Sequence, residues 1–296
     1  MDHLDDIKLD IMREKPGFIA ALDQSGGSSA KTLKAYGIDE SMYSSEEEMF
    51  NMIHAMRARV MTSKVFDSSR IIGVILFEQT MNRMIDTKYT SDYLWDKGIL
   101  SFLKIDKGLE EEKDGCQMMK EIPNLNRTLA DAKDKGIFGT KMRSVIKEPN
   151  PVGIRNVVHQ QFELAKQVYS HGLIPIIEPE VYINADNKAT CEEILHAEVV
   201  RELDLLEDGV KVMFKFTIPS FDNFYADLME NEHVVRVVAL SGGYPMHDAC
   251  ERLGRNKGMI ASFSRALLEG LKVTDSTEEF DKKLDSTINE IYLASI

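Results

Sequence analysis

The sequence has few of the residues that mark an extracellular or membrane-inserted protein. Only three of its 296 residues are cysteines, Cys116, Cys191 and Cys250, and none forms a C-x-x-C pair. This pattern predicts free thiols in a reducing compartment rather than a disulfide framework. The sequence has no apolar run of membrane-spanning length and no N-terminal apolar signal segment. We therefore expect a cytoplasmic protein without a membrane partner.

Positive charge is also scarce. Lysine and arginine number 36 against 49 aspartate and glutamate residues, which gives a formal net charge of −13. Such a balance argues against nucleic acid and anionic membranes as the main partners. An anionic substrate would have to meet a locally positive pocket within a negative body.

The common cofactor and metal motifs are missing as well. The sequence contains no G-x-G-x-x-G after a predicted strand, no Walker loop and no H-E-x-x-H motif. Its seven histidines are dispersed, and none pairs with another at the spacing of zinc ligands. We therefore expect neither a cofactor nor a metal site.

Short β-branched runs alternate with longer stretches of helical periodicity. The predicted strands are Phe18–Leu22, Ile71–Phe77, Phe102–Ile105, Ile137–Met142, Leu173–Ile177, Val210–Phe216, Val234–Leu240 and Met259–Phe263. Eight alternating units favour an α/β fold with a parallel sheet closed as a TIM (β/α)8 barrel, and a doubly wound open sheet is the alternative. No linker divides the chain, so we predict one domain over residues 1–296.

Two of the intervening helices have clear predicted ends. His171-Gly172 and Lys135-Gly136 each place a cation near a helix C-terminus and a glycine just beyond it. The last helical pattern, over residues 275–292, contains Tyr292, which we interpret as a packing residue.

Lys215 interrupts an apolar run near the end of the sixth predicted strand. Side chains alternate across a strand, so Lys215 points away from the face that carries Phe214 and Phe216. Lysine is seldom buried, and desolvation lowers the pKa of its amine, which makes it a nucleophile suited to forming a Schiff base. The alternative is a lysine whose amine reaches solvent at the strand end.

Charged side chains end four other predicted strands. They are Asp23, Lys104, Lys141 and Glu178. Alternation places three of them on the same faces as the pairs Ile19 and Ala21, Ile137 and Gly139, and Ile174 and Ile176. Active sites of TIM barrels lie at the carboxyl ends of the strands, so we expect these charges to converge with Lys215 at the barrel mouth. Structural salt bridges inside the barrel are the alternative.

The last two predicted strands end in sequences that suit an anion. Ser241-Gly242-Gly243 leaves backbone N–H groups open to close approach, and Ser264-Arg265 leads into a predicted helix over Ala266–Leu271. The loops after strands seven and eight are the usual phosphate site of this fold. A simple tight turn is the alternative for the glycine pair. A second anion site is predicted where Ser25 and Ser28 open the first helix near Lys104, although these serines also suit an ordinary helix start.

Together these segments resemble the class I (Schiff-base) fructose-bisphosphate aldolases in their compact bacterial form. The resemblance covers nearly the whole chain, and the motifs follow the family's order. The matching segments are Phe18–Gly27, Phe102–Gly108, Gly139–Arg143, Pro175–Glu180, Leu240–Gly243 and Ala261–Ala266.

The resemblance implies a role for each candidate. Lys215 is the Schiff-base lysine. Glu178 is the general acid/base and has Glu180 beside it, while Asp23 handles the proton of the C4 hydroxyl. Lys141 and Arg143 supply positive charge, and Lys141 helps to keep Lys215 deprotonated. The implied ketose 1-phosphate residues are Ser241, Gly242, Gly243, Ser264 and Arg265. The implied residues for the phosphate at the aldehyde end are Ser25, Ser28 and Lys104.

The sequence departs from the animal branch of that family in three places. Gln24 stands where that branch has a carboxylate, and Thr32 replaces an arginine of the distal phosphate site. The sequence ends soon after Tyr292, whereas the animal enzymes continue into a long tail with a terminal tyrosine. We therefore expect different proton handling beside Asp23 and a weaker distal phosphate site.

The resemblance predicts a metal-independent lyase that reversibly cleaves fructose 1,6-bisphosphate into dihydroxyacetone phosphate and glyceraldehyde 3-phosphate in glycolysis and gluconeogenesis. Its partner would be a phosphorylated ketose. A sugar-phosphate isomerase with Glu178 as its base, and a non-catalytic phosphosugar-binding protein, are the alternatives. The sequence is compatible with a homo-oligomer and does not determine the oligomeric state.

Overall fold

Helices and strands alternate along the computed structural model, which describes residues 3–25 and 27–296. The helices are α1 (His3–Glu14), α2 (Gly27–Tyr36), α3 (Glu46–Thr62), α4 (Glu78–Met81), α5 (Thr90–Asp96), α6 (Leu125–Asp134), α7 (Pro151–Ser170), α8 (Lys188–Leu203), α9 (Met246–Leu253), α10 (Arg265–Leu268) and α11 (Thr277–Leu293). The strands are β1 (Phe18–Leu22), β2 (Ile71–Leu76), β3 (Met84–Ile85), β4 (Lys88–Tyr89), β5 (Leu100–Lys104), β6 (Cys116–Gln117), β7 (Gly139–Ile146), β8 (Ile174–Val181), β9 (Val212–Thr217), β10 (Val234–Leu240) and β11 (Ile260–Ala261). Within the described ranges, no helix combines the length and apolar character that a membrane crossing requires.

Eight parallel strands form the central sheet in the order of the chain, β1-β2-β5-β7-β8-β9-β10-β11. Every neighbouring pair along this path is parallel. The two end strands meet where the backbone N–H of Ala21 donates to the carbonyl of Phe263 at 3.3 Å. The nearly closed barrel confirms the TIM-barrel prediction, and the open-sheet alternative is wrong.

The eight predicted strands coincide with these eight, and only some of their ends differ. β7 and β8 run to Ile146 and Val181, four residues past their predicted ends at Met142 and Ile177. The extension of β7 is paired on its other side with β6, which runs antiparallel to it from Cys116. A two-residue strand such as β6 is too short to produce an alternation pattern, so the sequence did not predict it.

The hydrophobic core consists of two apolar clusters. One fills the barrel interior and contains Ile19, Ala21, Ile174, Ile176 and Met213, in agreement with the predicted inward faces. The other lies between the sheet and the helices. Ile137 belongs to this outer cluster, because β7 begins only at Gly139, so its predicted place on the face of Lys141 is wrong.

Gly139 has a packing role inside the barrel. A Cβ atom added there would lie 2.8 Å from the ring of Phe102 and 2.1 Å from the carbonyl oxygen of Ile174. Only glycine therefore lets the start of β7 pack against the ring of Phe102 inside the barrel.

The helices end as predicted. α7 stops at Ser170, followed by Gly172 at φ 73°, and α6 stops at Asp134, followed by Gly136 at φ 72°. The last helix, α11, begins with a capping box formed by Ser276 and Glu279. Tyr292 lies near its end and packs against the outer core cluster, as predicted.

The three cysteines are buried free thiols. Burial raises the pKa of Cys116 to about 12, of Cys191 to about 11 and of Cys250 to about 12. The thiolate is the reactive form, so we expect an aromatic disulfide reagent at pH 8 to label the native thiols at least about 100-fold more slowly than those of the urea-unfolded chain. Absorbance of the released thiolate measures both rates. Rapid labelling of any one thiol in the native protein would contradict this expectation.

Candidate active site

A cavity of about 930 Å³ opens at the carboxyl ends of the barrel strands. All fourteen residues that the sequence singled out line it. They are Asp23, Ser25, Ser28, Lys104, Lys141, Arg143, Glu178, Glu180, Lys215, Ser241, Gly242, Gly243, Ser264 and Arg265. The carboxyl ends of the parallel strands all lie at the same end of the barrel, so residues separated by more than two hundred positions meet here. Gly26, which belongs to the first predicted motif, lies outside the described residues.

Lys141 stands at the centre of the charged residues. Its Nζ lies 2.7 Å from Oδ2 of Asp23 and 2.9 Å from Oε2 of Glu178. All three residues are buried, with 3% of Lys141 and of Glu178 exposed. The pair with Glu178 is held by charge, since no described group donates a well-aligned hydrogen bond to Oε2. That oxygen is itself buried, and the ammonium of Lys141 is its charge partner.

The neighbouring charges determine the protonation states of this cluster. Burial raises the pKa of Glu178, but the charges of Lys141, Lys215 and Arg143 outweigh it and hold the pKa below its usual value. Asp23 follows the same pattern, with burial opposed by the charges of Lys141, Lys215 and Lys104. For Lys141, burial lowers the pKa, and Asp23 and Glu178 more than reverse that effect. At neutral pH the cluster therefore holds two carboxylates and a permanently charged Lys141.

Lys215 points into the same cavity from β9. Its Nζ lies 3.3 Å from Oε1 of Glu178, and 4% of the residue is exposed. On the same face of β9, Met213 belongs to the barrel interior, while Phe214 and Phe216 pack outward. A snorkelling lysine would place its amine in solvent, so this alternative is wrong. The amine faces the cavity and a carboxylate that can exchange a proton with it.

Two further ion pairs flank this centre. Arg143 donates through Nε to Glu180, and Lys104 pairs with Asp106. Burial lowers the pKa of Arg143, and the charge of Glu180 more than reverses it. Four cations of the cavity therefore have a carboxylate partner, which limits the cost of burying them: Lys104, Lys141, Arg143 and Lys215.

The anion-binding loops predicted after strands seven and eight lie side by side. Gly242 and Gly243 have φ values of 61° and 115°, which favour glycine, and the carbonyl of Ser241 accepts a turn hydrogen bond from Tyr244 at 3.0 Å. A Cβ atom on Gly243 would lie 3.4 Å from Nη2 of Arg265. Arg265 forms no ion pair with a carboxylate of the described residues, so its charge is available to a ligand.

One feature of these loops differs from the prediction. The helix expected over Ala266–Leu271 is the four-residue α10, which begins at Arg265. Such a short helix has a small dipole, so an anion site here would depend on Arg265, the serines and the backbone N–H groups.

The second predicted anion region shows the hydrogen bonds of a helix start, and its anion site stays a prediction. Ser28 Oγ donates to the carbonyl of Ser25 at 2.7 Å and accepts from its backbone N–H at 2.9 Å, as in a helix start. The cavity wall continues from these serines to Lys31 and Thr32. Lys31 is a cation that the sequence reasoning overlooked, beside the threonine that was expected to weaken this end.

Residues 3–215 match the family model described as "Glycolytic: Fructose-bisphosphate aldolase class-I". The chain belongs to the class I fructose-bisphosphate aldolase family. Over 294 residues it is 55% identical to the class 1 fructose-bisphosphate aldolase of Clostridium acetobutylicum, a match that covers 99% of this chain and all of that one. This aldolase is therefore a metal-independent lyase that acts through a lysine Schiff base, and its substrate is a phosphorylated ketose.

Solved structures support the fold of this aldolase. A fructose-bisphosphate aldolase from Plasmodium falciparum superposes with a TM-score of 0.79 at 18% identity, over 98% of this chain and 93% of that one. A Corynebacterium glutamicum protein superposes with a TM-score of 0.53 at 13% identity, over 98% of this chain and 92% of that one. At these identities the likeness concerns the barrel alone.

The structure of this aldolase adds residues that sequence reasoning missed. Ser262 lines the cavity, is 1% exposed, and its Oγ has no hydrogen-bond partner among the described residues. Asp106 holds Lys104, and Arg57 lies buried behind Gln24. A signal existed for the first two, which occupy strand ends next to predicted site residues. Arg57 lies on a helix, where nothing in the sequence distinguishes it from a surface arginine.

Proposed function

We propose that Lys215 is the nucleophile of this aldolase and attacks the C2 ketone of fructose 1,6-bisphosphate. The observation that carries the proposal is the buried contact of 3.3 Å between its Nζ and Oε1 of Glu178. Glu178 can take a proton from the ammonium and leave a neutral amine with a free electron pair. Lys141 lies 2.9 Å from the other oxygen of the same carboxylate and holds it in place.

Glu178 is proposed to move protons during imine formation. The amine adds to C2 and gives a carbinolamine. Glu178 then returns its proton to the C2 oxygen, which leaves as water while the C2–N bond becomes an iminium. Since nearby cations hold the pKa of Glu178 low, the residue begins the cycle as a carboxylate. It becomes an acid only after it has accepted a proton from Lys215.

Asp23 is proposed to complete the carbon–carbon cleavage. Its carboxylate accepts the proton of the C4 hydroxyl while the C3–C4 bond breaks. The bonding electrons move into the iminium and form an enamine, and C4 becomes the aldehyde carbon of glyceraldehyde 3-phosphate. Lys141, 2.7 Å from Oδ2 of Asp23, orients this carboxylate. Protonation and hydrolysis of the enamine release dihydroxyacetone phosphate and restore Lys215.

The two phosphates are proposed to bind at opposite ends of the cavity. The ketose 1-phosphate lies against Ser241, Gly242, Gly243, Ser264 and Arg265. The other phosphate lies near Ser25, Ser28 and Lys104, with Arg143 and its partner Glu180 between the two ends. Clamping both ends positions the scissile bond against Glu178 and Asp23, which is the main rate contribution expected of binding residues.

Trapping of the imine tests this assignment. Borohydride added in the presence of dihydroxyacetone phosphate should reduce the iminium to a stable secondary amine, and peptide mapping should place the adduct on Lys215. Adduct formation should require the ketose phosphate and should fall when inorganic phosphate competes. Binding of substrate without any adduct would contradict the assignment and would favour isomerase chemistry.

Three wider features belong to the same proposal. We propose that residues 1–296 act as one barrel domain, supported by the central sheet, whose strands come from Phe18 through Ala261. We propose a cytoplasmic location, supported by three free thiols, and a role in glycolysis and gluconeogenesis, supported by the family match. A homo-oligomer is compatible with the sequence, and sedimentation equilibrium would measure the oligomeric state.

A further inference from the structure

Arg57 is a buried cation behind the active site. It lies on α3, has no exposed surface, and is among the largest fully buried side chains. Its Nη1 donates to Oγ1 of Thr80 at 2.8 Å, and its Nη2 donates to the backbone carbonyl and to Oε1 of Gln24. No carboxylate of residues 3–25 or 27–296 forms an ion pair with it. An unpaired buried charge is costly, so its position calls for an explanation beyond packing.

The guanidinium determines how the amide of Gln24 is oriented. An arginine can only donate hydrogen bonds, so the group of Gln24 that faces it at 3.2 Å must be the oxygen. The amide nitrogen then faces Oγ of Ser264 at 2.7 Å. Gln24 is 7% exposed, so solvent offers little competition for either contact.

The oriented amide in turn determines the role of the Ser264 hydroxyl. Its oxygen accepts from Gln24, and the amide nitrogen has no lone pair with which to accept a hydrogen bond in return. The hydroxyl proton of Ser264 can therefore be donated to another acceptor. Ser264 lines the cavity beside Arg265, where the 1-phosphate is proposed to bind. Donation thus runs in one direction, from Arg57 to Gln24 and from Gln24 to Ser264.

We propose that Arg57 is a positioning residue which, through Gln24, makes Ser264 a hydrogen-bond donor to the 1-phosphate of the ketose. The inference rests on the proposed function, which places that phosphate at Ser264. This role of Arg57 also explains why the chain has an amide at position 24. A carboxylate there would accept the proton of Ser264 and leave a lone pair facing the phosphate.

Gln24→Glu is the sharpest test, because the change keeps the size of the side chain and gives Arg57 a counter-ion. The probe is borohydride trapping on Lys215 with dihydroxyacetone phosphate or with dihydroxyacetone, which lacks the phosphate. We expect the concentration of dihydroxyacetone phosphate for half-maximal trapping to rise about 10-fold, as for loss of one hydrogen bond to a charged group. The concentration of dihydroxyacetone for half-maximal trapping should stay within about 2-fold, because this uncharged ketone has no phosphate to accept a hydrogen bond from Ser264.

Companion variants separate this role from a purely structural one. Ser264→Ala should cause a similar phosphate-dependent loss, and Gln24→Glu should add little to it, because both changes remove the same donor. Arg57→Met should also weaken trapping with dihydroxyacetone phosphate and leave trapping with dihydroxyacetone within about 2-fold. Gln167→Glu, on the surface of α7, makes the same change of charge far from the cavity and should have no effect.

The outcomes are distinguishable. Equal loss with both ketones, or additive effects of the changes at positions 24 and 264, would overturn the inference while leaving Lys215 as the nucleophile. Unchanged affinity for dihydroxyacetone phosphate in Gln24→Glu would also overturn it. Absence of trapping in the unmodified enzyme would instead contradict the proposed function.

Discussion

Replacing Lys215 by alanine is expected to lower kcat by at least about 10⁴-fold, since removal of a covalent nucleophile eliminates the intermediate on which the whole reaction depends. The barrel should remain folded, because Glu178 keeps Lys141 as its counter-ion at 2.9 Å. A coupled assay of triose phosphate formation measures the rate, and circular dichroism measures the fold.

Lys211→Ala provides the matched control. Lys211 precedes the same strand, and its Nζ donates to the carbonyl of Glu232 at 2.6 Å, outside the cavity. This variant should keep its rate to within about 2-fold, as is usual for a surface change. Lys215→Arg extends the comparison, because it retains a cation near Glu178 but cannot form an imine. Substantial turnover in Lys215→Ala would mean that another lysine of the cavity is the nucleophile.

Replacing Lys141 by methionine is expected to have the second largest effect, on stability as well as on rate. The change leaves Asp23 and Glu178 buried without the ammonium that lies 2.7 Å and 2.9 Å from their oxygens. Removing one partner of a buried ion pair costs about 3–5 kcal/mol of unfolding free energy. The rate should fall at least about 100-fold, because both proton-transfer groups lose the charge that orients them. Urea unfolding at pH 7 measures the first effect, and the coupled assay measures the second.

The stability loss in Lys141→Met should depend on pH with a predictable sign. In the unmodified protein the pKa values of Asp23 and Glu178 are depressed, so their pairing contributes stability above the unfolded-state pKa and loses it as the pH falls through the folded-state values. Without Lys141, burial raises these pKa values, and acid neutralises the two carboxylates. The difference in stability between the variant and the parent should therefore shrink between pH 7 and about pH 4.

Lys147→Met is the control for this series. Lys147 pairs with Glu112 at the surface, where such a pair contributes about 1 kcal/mol or less. The difference in stability between Lys147→Met and the parent should be small and nearly independent of pH. A Lys141→Met variant that matches the parent in stability across this pH range would show that the buried carboxylates do not depend on Lys141.

The sequence alone determined the barrel and most of the charged residues that line the cavity at its mouth. The barrel strands are rich in apolar residues because both of their faces are buried, and such enrichment is visible without coordinates. Alternation then assigned Asp23, Glu178 and Lys215 to the inner face, and the direction of parallel strands brought their ends together. Strand ends were less predictable, because pairing with β6 extends β7 and no local pattern encodes that pairing.

Only the tertiary structure decided how these residues contact one another. Lys141 has two carboxylate partners that precede and follow it by 118 and 37 positions, and Gln24 contacts Ser264 across 240 positions. Arg57 reaches the site from a helix outside the barrel, where helical periodicity predicts burial but not a partner. Periodicity reports which side of an element is buried. Hydrogen-bond direction and ion pairing depend on distances between segments, and those are set when the barrel closes.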